Sequence, residues 1–480
     1  MGLLHVPVAP VPPDRFTEIL GEAQLEQLDE TIAGGRALLA DRVVWNVNST
    51  ARGGGVAEML VSLLAYARGV GIDARWVVIE GDHDFFAVTK RIHNMLHGSP
   101  GDGRGLTPAD DDVYRGLTAA RAAELAPLVR PGDVVILHDP QTAGLIEPIR
   151  ARGAQVIWRC HVGMDGPDGL AHDAWRFLLP HVRAADAVVF SRDAFVWEGL
   201  DPARVSVIPP SIDAFAPKNQ DLAPPAVEAI LAAARIAPGR HAAPPAFTRL
   251  DGTPGRVDRC AESIASPPLP PRAPAIVQVS RWDRLKDPLG VLEAFSERIA
   301  PDTTAHLVLA GPASATVADD PEAEQVLSEV ARRAAALPSA LRERIHLLAL
   351  PMEDAEENAA IVNALQRRAD VVVQKSLAEG FGLTVAEAMW KSRPVVASDC
   401  GGIREQIVDG ESGLLVAPRD LAAFATAVTS LLDDPARSAA IGARAREDVR
   451  RRFLGPRHLR QYVNLFARLL GAAEPLPAHP

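Results

Sequence analysis

Short runs of β-branched residues alternate along the chain with stretches rich in alanine and leucine. This alternation is typical of parallel sheets whose strands are joined by crossover helices. The first forty residues precede it, and within them residues 14–40 are predicted to form one or two amphipathic helices. In the first half the predicted strands are RVVWNVN (42–48), DARWVVIE (73–80), DVVILHD (133–139), AQVIWRCH (154–161), DAVVFS (186–191) and VSVIPPSID (205–213).

A second series of the same kind begins after residue 272. Its predicted strands are AIVQVSR (275–281), AHLVLAGP (305–312), IHLLAL (345–350), DVVVQKS (370–376), PVVASDCGG (394–402) and SGLLVAP (412–418). Alanine and proline dominate residues 216–272, which predicts a linker with a helical or poorly ordered insertion. The pattern therefore predicts an α/β protein with two Rossmann-like lobes whose parallel sheets face an interlobe cleft, where ligands of such sheets bind.

Composition narrows the classes of partner and compartment. The chain has 50 basic and 61 acidic residues, a net charge of −11, and no apolar run long enough to span a membrane. We therefore expect no nucleic-acid or membrane partner. The three cysteines form neither a metal motif nor a disulfide framework, which favours the reducing cytoplasm. Lysine is scarce, and genomic base composition is one explanation of this scarcity. The alternative is that the few lysines in an arginine-rich chain stand where a compact positive charge is needed. The lysines are Lys90, Lys218, Lys286, Lys375 and Lys391.

The strongest chemical motif is EGFGLTVAEAMW, residues 379–390, which follows a predicted strand. Gly380 and Gly382 allow a tight turn and a close ligand approach, and good helix formers follow. A turn that enters a helix in this way suits a phosphate. Glu379 and Glu387 flank the turn and could accept hydrogen bonds from sugar hydroxyls of one ligand. An ordinary glycine loop with solvated glutamates is the alternative.

The second motif is SRWDRLKDP, residues 280–288. Arg281 follows a predicted strand, and Lys286 lies five residues later in a polar loop. Two cations beside a helix N-terminus favour a diphosphate ligand. Without the glycine motif, two solvated loop charges would be the better interpretation.

Three sites in the first half are weaker candidates. A glycine loop between a predicted strand and a predicted helix lies in NSTARGGGVAEML, residues 48–60. This loop either approaches a ligand or only connects the two elements. His138, Asp139 and His161 end neighbouring predicted strands. The segment 81–98 carries Lys90 and Asn94 beside two phenylalanines, and could form a polar acceptor pocket or an ordinary exposed helix.

Together these strings resemble a known family. EGFGLTVAEAM and SRWDRLKDP are similar to the retaining GT-B glycosyltransferases that include sucrose, sucrose-phosphate and glycogen synthases. WNVNSTARGGGVAEML, FFAVTKRIHNMLHG, ILHDPQTAGLI, WRCHVG and SIDAFAPKN resemble, more closely, the trehalose glycosyltransferring synthases. The resemblance covers about residues 40–220 and 273–460. A long insertion at 222–272 and Val162-Gly163 after His161 depart from the family pattern.

The resemblance implies three lobes or segments and three groups of site residues. The acceptor lobe comprises residues 1–215, and the C-terminal segment, residues 456–480, crosses back to it. The linker and insertion comprise residues 216–272, and the nucleotide-sugar lobe comprises residues 273–455. The implied catalytic group is Arg281, Lys286, Glu379 and His161. The implied donor-binding group is Gly53, Gly54, Gly55, Gly380, Phe381, Gly382, Leu383 and Glu387. The implied acceptor-binding group is His138, Asp139, Gln141, Lys90 and Asn94.

The implied reaction is reversible, retaining transfer of glucose from UDP- or ADP-glucose to free glucose, which gives trehalose. It requires no tightly bound cofactor and no protein-bound metal, although Mg²⁺ can accompany the nucleotide. Expected partners are the nucleotide sugar and glucose, and a homodimer is one candidate assembly. A trehalose phosphorylase, a glucosyltransferase with another acceptor and a non-catalytic sugar-nucleotide sensor are the alternatives. A glycosidase ranks lower, because that chemistry has no use for the Arg281–Lys286 pair.

Overall fold

The computed structural model describes residues 2–51, 55–239, 243–264, 267–313 and 321–472. These divide into two compact units, residues 2–211 with 453–472, and residues 212–452. The predicted loop glycines Gly53 and Gly54 lie outside the described residues. Gly55 begins the helix that follows them. Each unit is an α/β structure built on its own seven-stranded sheet.

The sheet of the first unit has the order β1-β3-β2-β4-β5-β6-β7. All neighbouring strands are parallel except β1, which pairs antiparallel with β3 at the edge. The sequence pattern predicts helices and no strand in this first segment, and the structure adds β1. The strands are β1 (Leu3–Val6), β2 (Val43–Asn48), β3 (Asp73–Ile79), β4 (Val134–His138), β5 (Gln155–Arg159), β6 (Ala187–Phe190) and β7 (Val205–Val207). The helices are α1 (Glu22–Leu38), α2 (Gly55–Gly69), α3 (His83–Leu96), α4 (Pro108–Leu125), α5 (Ile146–Arg150) and α6 (Gly169–Val182).

The second unit repeats this plan. Its sheet has the order β10-β13-β12-β11-β14-β15-β16, again parallel except for an antiparallel edge strand, β10. Strands β8 (Ala246–Thr248) and β9 (Pro254–Arg256) form a separate hairpin; the sheet strands are β10 (Glu262–Ser263), β11 (Ala275–Val279), β12 (His306–Pro312), β13 (Ile345–Leu350), β14 (Val371–Gln374), β15 (Val395–Ser398) and β16 (Leu414–Val416). The helices are α7 (Pro224–Ala233), α8 (Pro288–Ala294), α9 (Pro321–Ala335), α10 (Ser339–Arg342), α11 (Ala355–Arg368), α12 (Leu383–Trp390), α13 (Ile403–Gln406), α14 (Leu421–Asp433) and α15 (Pro435–Arg452).

The last helix, α16 (Gly455–Leu469), belongs to the first unit and packs against α1. The segment 216–272 lies within the second unit, where it contributes α7, the β8–β9 hairpin and the edge strand β10. Arg249 of the hairpin pairs with Asp354 at 2.7 Å and with Glu356 at 2.8 Å. These carboxylates stand at the N-terminus of α11, so the hairpin is fixed to the unit it interrupts.

The central strands are buried on both faces because helices cover each sheet, as parallel strands require. Every residue of β2, β4, β11 and β14 is buried. The strand order reverses between β2 and β4 in the first sheet and between β11 and β14 in the second. Loops at the carboxyl ends of strands beside such a reversal diverge and leave room for a ligand. The loops after these four strands carry most of the residues that the sequence analysis selected.

Candidate active site

The two motifs of the second unit meet at the reversal of its sheet. The segment after β11 forms a 3₁₀ turn, Arg284–Lys286, and the segment after β14 leads to Glu379. Lys286 Nζ donates to Glu379 Oε2 at 2.6 Å, and the two side chains are only 17% and 10% exposed. Neither group is a solvated loop charge. A mostly buried ammonium and carboxylate offer one ligand both a cation for its phosphate and an acceptor for its hydroxyls.

Glu379 is held by a second donor that the sequence analysis did not select. Ser376 Oγ donates to Glu379 Oε2 at 3.1 Å, and Gln374 Nε2 donates to Ser376 Oγ at 3.0 Å. Gln374 is in turn bound by the Thr384 hydroxyl at 3.1 Å, within the first turn of α12. This chain of hydrogen bonds links the end of β14 to the start of α12 and fixes the carboxylate between them.

The glycine turn requires its glycines. Gly382 has φ +85° and forms the N-terminal cap of α12, a conformation that side chains disfavour. A Cβ at Gly401 would overlap the carbonyl oxygen of Glu379, so only glycine allows this approach. Gln406 Nε2 donates to the carbonyl oxygen of Phe381 at 2.5 Å from the far side of the turn. The first N–H groups of α12 have no intrahelical acceptor and form a favourable site for an anion.

Arg281 differs from Lys286 in its surroundings. Its Nη2 donates to Asp283 Oδ2 at 3.0 Å, and its side chain is 55% exposed. The structure thus brings Lys286 into contact with Glu379 and ties Arg281 to a carboxylate of its own loop.

Glu387, the second glutamate of the motif, lies on α12 with only 3% of its side chain exposed. Lys218 Nζ is 3.8 Å from its Oε1. Lys391 Nζ donates to the Glu387 carbonyl oxygen at 3.0 Å and to Asn219 Oδ1 at 3.1 Å. Burial holds the pKa of Lys391 well below its ordinary value, against the opposing effect of the Glu387 charge. Both lysines were noted only for their rarity, and neither was assigned to the site.

In the first unit, two histidines from neighbouring strand ends meet. His138 Nδ1 lies 3.1 Å from His161 Nε2, and the two rings stack with their centroids 5.4 Å apart. His138 Nε2 lies 3.1 Å from Asn46 Oδ1 on β2. Asn46, His138 and His161 therefore form one group of neighbouring polar side chains where the strand order reverses between β2 and β4. The histidines are among the residues predicted from the sequence, whereas Asn46 lies within a run of strand residues and is not.

A buried cation, Arg159 at the end of β5, adds to the effect of burial on these histidines. Its Nε donates to His161 Nε2 at 3.3 Å, and its remaining nitrogens donate to Ile208 O at 2.8 Å and to the Tyr462 hydroxyl at 3.3 Å. Since arginine only donates, Nε2 of His161 accepts, and the neutral ring carries its proton on Nδ1. Burial, aided by the Arg159 charge, holds the pKa of His161 well below its usual value and lowers that of His138 to about 3.

Asp139 joins these strands in a strained conformation. Its φ of +64° and ψ of 176° lie in a region almost restricted to glycine. Its Oδ1 accepts from the His161 backbone N–H at 2.7 Å. Burial raises the pKa of Asp139 to about 7, although that hydrogen bond and Arg159 oppose the shift. Strained residues persist where surrounding contacts hold them, and such residues cluster at functional sites.

The other predicted acceptor residues are placed differently. Gln141 lies in the 3₁₀ turn Pro140–Leu145 after Asp139, and its buried side-chain oxygen has no hydrogen-bond partner among the residues that the structure describes. Lys90 is exposed and Asn94 half-buried on α3, which packs against that turn. Within the described residues, no hydrogen bond or ion pair connects Lys90 or Asn94 to His138 or Asp139.

Gly163, one of the departures from the family pattern, has a local explanation. A Cβ at this position would overlap the ring of Phe195. Phe195 is buried and also lies beneath the Arg192 guanidinium, 5.1 Å from the ring centroid. A larger residue after Val162 therefore requires a different aromatic arrangement at this edge of the unit.

Among the described residues, no group of three or more His, Cys, Asp or Glu side chains is arranged to hold a metal ion. In the same part of the chain, no helix has both the length and the apolar character needed to cross a membrane.

This chain is similar to known proteins in sequence and in fold. Residues 46–197 match the family described as trehalose synthase, N-terminal domain, and residues 261–448 match glycosyl transferases group 1. The trehalose synthase of Rubrobacter xylanophilus is 34% identical over 457 residues, 95% of each chain. This chain belongs to the trehalose synthase family. It is accordingly a glycosyltransferase, and its two sheets are those of the GT-B fold.

Relatives outside the trehalose synthase family are more distant. The trehalose phosphorylase of Pleurotus pulmonarius is 26% identical over 450 residues, which are 86% of this chain and 56% of that protein. The solved structure of E. coli trehalose-6-phosphate bound with UDP-2-fluoro glucose has a TM-score of 0.65 at 15% identity, covering 89% of this chain and 99% of the other. At that identity the likeness shows the shared fold.

Proposed function

We propose that this enzyme transfers glucose from a nucleoside diphosphate glucose to free glucose, with retention, and so makes α,α-trehalose. Membership of the trehalose synthase family supports the product. The observation that carries the donor side is the contact between Lys286 and Glu379, 2.6 Å apart beside the N-terminus of α12. A cation, a helix N-terminus and a hydroxyl acceptor lie together here, and each suits one part of a phosphate-activated sugar.

The charge flow of the reaction explains this arrangement. The bond between C1 of the donor glucose and the phosphate oxygen breaks, and a bond from C1 to the acceptor hydroxyl oxygen forms on the same face. Negative charge grows on the departing diphosphate, while positive charge grows at C1. Lys286, Arg281 and the start of α12 stabilise that growing negative charge more than they stabilise the bound substrate. The departing phosphate oxygen takes the acceptor proton, so the reaction needs no separate base.

The proposal assigns Glu379 to hydroxyls of the donor glucose and Glu387 to the ribose. In the first unit it assigns His161 to the donor sugar, and Asp139, His138 and Gln141 to the acceptor glucose. Asp139 with a pKa near 7 and a neutral His161 can each hydrogen-bond hydroxyls without imposing a full charge. Lys90, Asn94 and the 53–55 loop remain assigned to the acceptor and donor from family resemblance alone.

The donor nucleotide is either UDP or ADP in this proposal, with Mg²⁺ able to accompany it in solution. The proposed location is the cytoplasm, and the three free cysteines agree with a reducing compartment. A homodimer stays a prediction, which light scattering of the purified protein tests.

The decisive experiment is a matrix of UDP-, ADP- and GDP-glucose against free sugars. We expect nucleoside diphosphate release to depend on added glucose, and NMR to identify an α,α-1,1 linkage in the product. Release without any acceptor, or a product with another linkage, would contradict the proposal.

The likeness to a fungal trehalose phosphorylase supports a second candidate, since the same cations could receive inorganic phosphate. Incubation of trehalose with phosphate and no nucleotide separates the two reactions. A phosphorylase forms glucose 1-phosphate under these conditions, whereas the proposed synthase forms none.

A further inference from the structure

The loop that carries Lys286 contains a strained residue immediately after it. Asp287 has φ +48° and ψ +48°, a left-handed conformation that ordinary L-residues disfavour, and Pro288 follows. Its Oδ1 accepts from the Gly290 N–H at 3.0 Å and caps α8. A Cβ at Gly290 would overlap the Asp287 carboxylate, so the carboxylate lies tightly over the start of that helix.

The other oxygen of Asp287 is bound by a lysine with no exposed surface. Lys375 follows β14, is 0% exposed, and donates from Nζ to Asp287 Oδ2 and to the Pro418 carbonyl oxygen at 2.9 Å. The environment accommodates a compact ammonium, which differs in shape and hydration from a guanidinium. Lys375 thus connects the end of β14 to the residue next to Lys286.

Two more hydrogen bonds hold the same loop. The buried Gln278 donates from Nε2 to the Lys286 carbonyl oxygen at 2.9 Å. The Leu377 N–H donates to the Leu285 carbonyl oxygen at 2.7 Å. Each of these bonds fixes backbone, whereas the Lys375–Asp287 ion pair holds the side chain of the left-handed residue.

We propose that Lys375 is a positioning residue for the transfer reaction. By holding Asp287 in its left-handed conformation, it directs Lys286 toward Glu379 and the donor diphosphate. The inference rests on the proposed function, because it assigns Lys286 to the diphosphate. Lys375 acts through Lys286 and touches no substrate, so its effect belongs on turnover and not on acceptor binding.

The test compares steady-state kinetics of the full-length enzyme and three variants: Lys375→Met, Asp287→Asn, and the double change. Asp287→Asn keeps a capping residue, and the double change leaves no uncompensated buried charge. We expect kcat of each of the three variants to fall about 10- to 100-fold, since small misplacements of a positioned group have effects of this size. The KM for glucose is expected to change less than about twofold.

A second comparison separates positioning from simple support of the fold. In a Lys286→Ala background, Lys375→Met is expected to lower kcat less than about threefold further, because the residue it positions is already gone. Arg344→Met is the matched control: Arg344 lies at the opposite end of the same sheet and donates to the Ala305 and Thr303 carbonyl oxygens. It is expected to lower the melting temperature and leave kcat unchanged.

A near-normal kcat in the folded Lys375→Met/Asp287→Asn double variant would overturn the positioning role. So would a loss of kcat from Lys375→Met that is as large in the Lys286→Ala background as in the wild type. A failure of the proposed function is a separate result. In that case the wild-type enzyme itself shows no glucose-dependent release of nucleoside diphosphate.

Discussion

Replacing Arg159 by methionine is expected to raise the pKa of the two candidate-site histidines, His138 and His161. Arg159 is fully buried, and its guanidinium lies against His161 Nε2 at 3.3 Å. Methionine keeps an unbranched apolar chain but removes the charge and the donors. With that cation gone, the main remaining force that keeps His161 neutral is burial.

The size of the effect follows from the geometry. A unit charge about 4 Å from the ring contributes ~4 kcal/mol at an effective dielectric near 20. Removing that charge therefore raises the pKa of His161, while burial, the larger cause of the lowering, remains. The change also leaves the Ile208 carbonyl and the Tyr462 hydroxyl without their donor. That loss is expected to cost about 2–4 kcal/mol of folding free energy.

The assay is NMR titration of isotope-labelled histidines together with the pH dependence of kcat. In the wild type, His161 is expected to stay neutral from pH 5 to 9, with no loss of activity from its protonation. In Arg159→Met the pKa of His161 is expected to rise, and the acid limb of kcat is expected to move to higher pH. Tyr462→Phe is the control, because it removes a hydrogen bond and keeps the cation. Unchanged histidine titration in a folded Arg159→Met protein would refute this reasoning.

Two further changes test other parts of the structure. Gly401→Ala is expected to destabilise the protein by about 3 kcal/mol or more and to displace the Glu379 backbone, with loss of turnover. Gly410→Ala is the control, because Gly410 also has a positive φ but open space around it, and it is expected to cost only about 1 kcal/mol. Equal melting temperatures for the two variants would contradict the close approach of Gly401 to Glu379. Burial lowers the pKa of His346 to about 4, so the contribution of this residue to stability is present above pH 6.5 and lost as the pH falls toward 4. Urea unfolding is expected to show that the free energy of unfolding falls by up to about 3 kcal/mol between pH 7 and pH 4.5, and by less in His346→Gln. An equal fall in that variant would argue against His346 as the source of the pH dependence.

Much of the fold could be predicted because its central strands are buried on both faces and therefore appear as unbroken apolar runs. The same physical rule hides the antiparallel edge strands. β1 is a short, mostly exposed LLHV, and β10 has only two residues, so neither carries a strong pattern. Edge pairing is decided by the neighbouring strand, which a local pattern does not contain.

The candidate residues of the second unit could be selected from sequence because they follow strands within short motifs. Glycines, a flanking carboxylate and a following helix are local signals, and Glu379 and Gly382 lie within one such motif. Lys286 lies in a second motif, and the contact between the two depends on β11 and β14 being neighbours in the sheet. Strand order was not available from the alternation alone.

The supporting residues were harder to find because their partners are distant in the chain. Tyr462 reaches Arg159 across 303 positions, and Lys375 reaches Asp287 across 88. Asn46 and Arg159 lie inside strand runs, where a polar residue has no distinctive spacing. The scarcity of lysine was the one available signal for Lys375, Lys391 and Lys218, and it did not show which partner each lysine has.

The account depends on Lys286 stabilising the departing diphosphate. Its most direct test is kcat of Lys286→Ala, measured with saturating donor and glucose, beside the donor Kd from calorimetry. We predict that kcat falls about 10²- to 10³-fold, as for loss of one transition-state donor, while the donor Kd changes less than about tenfold. A folded Lys286→Ala enzyme with kcat within about threefold of the wild type would contradict the account.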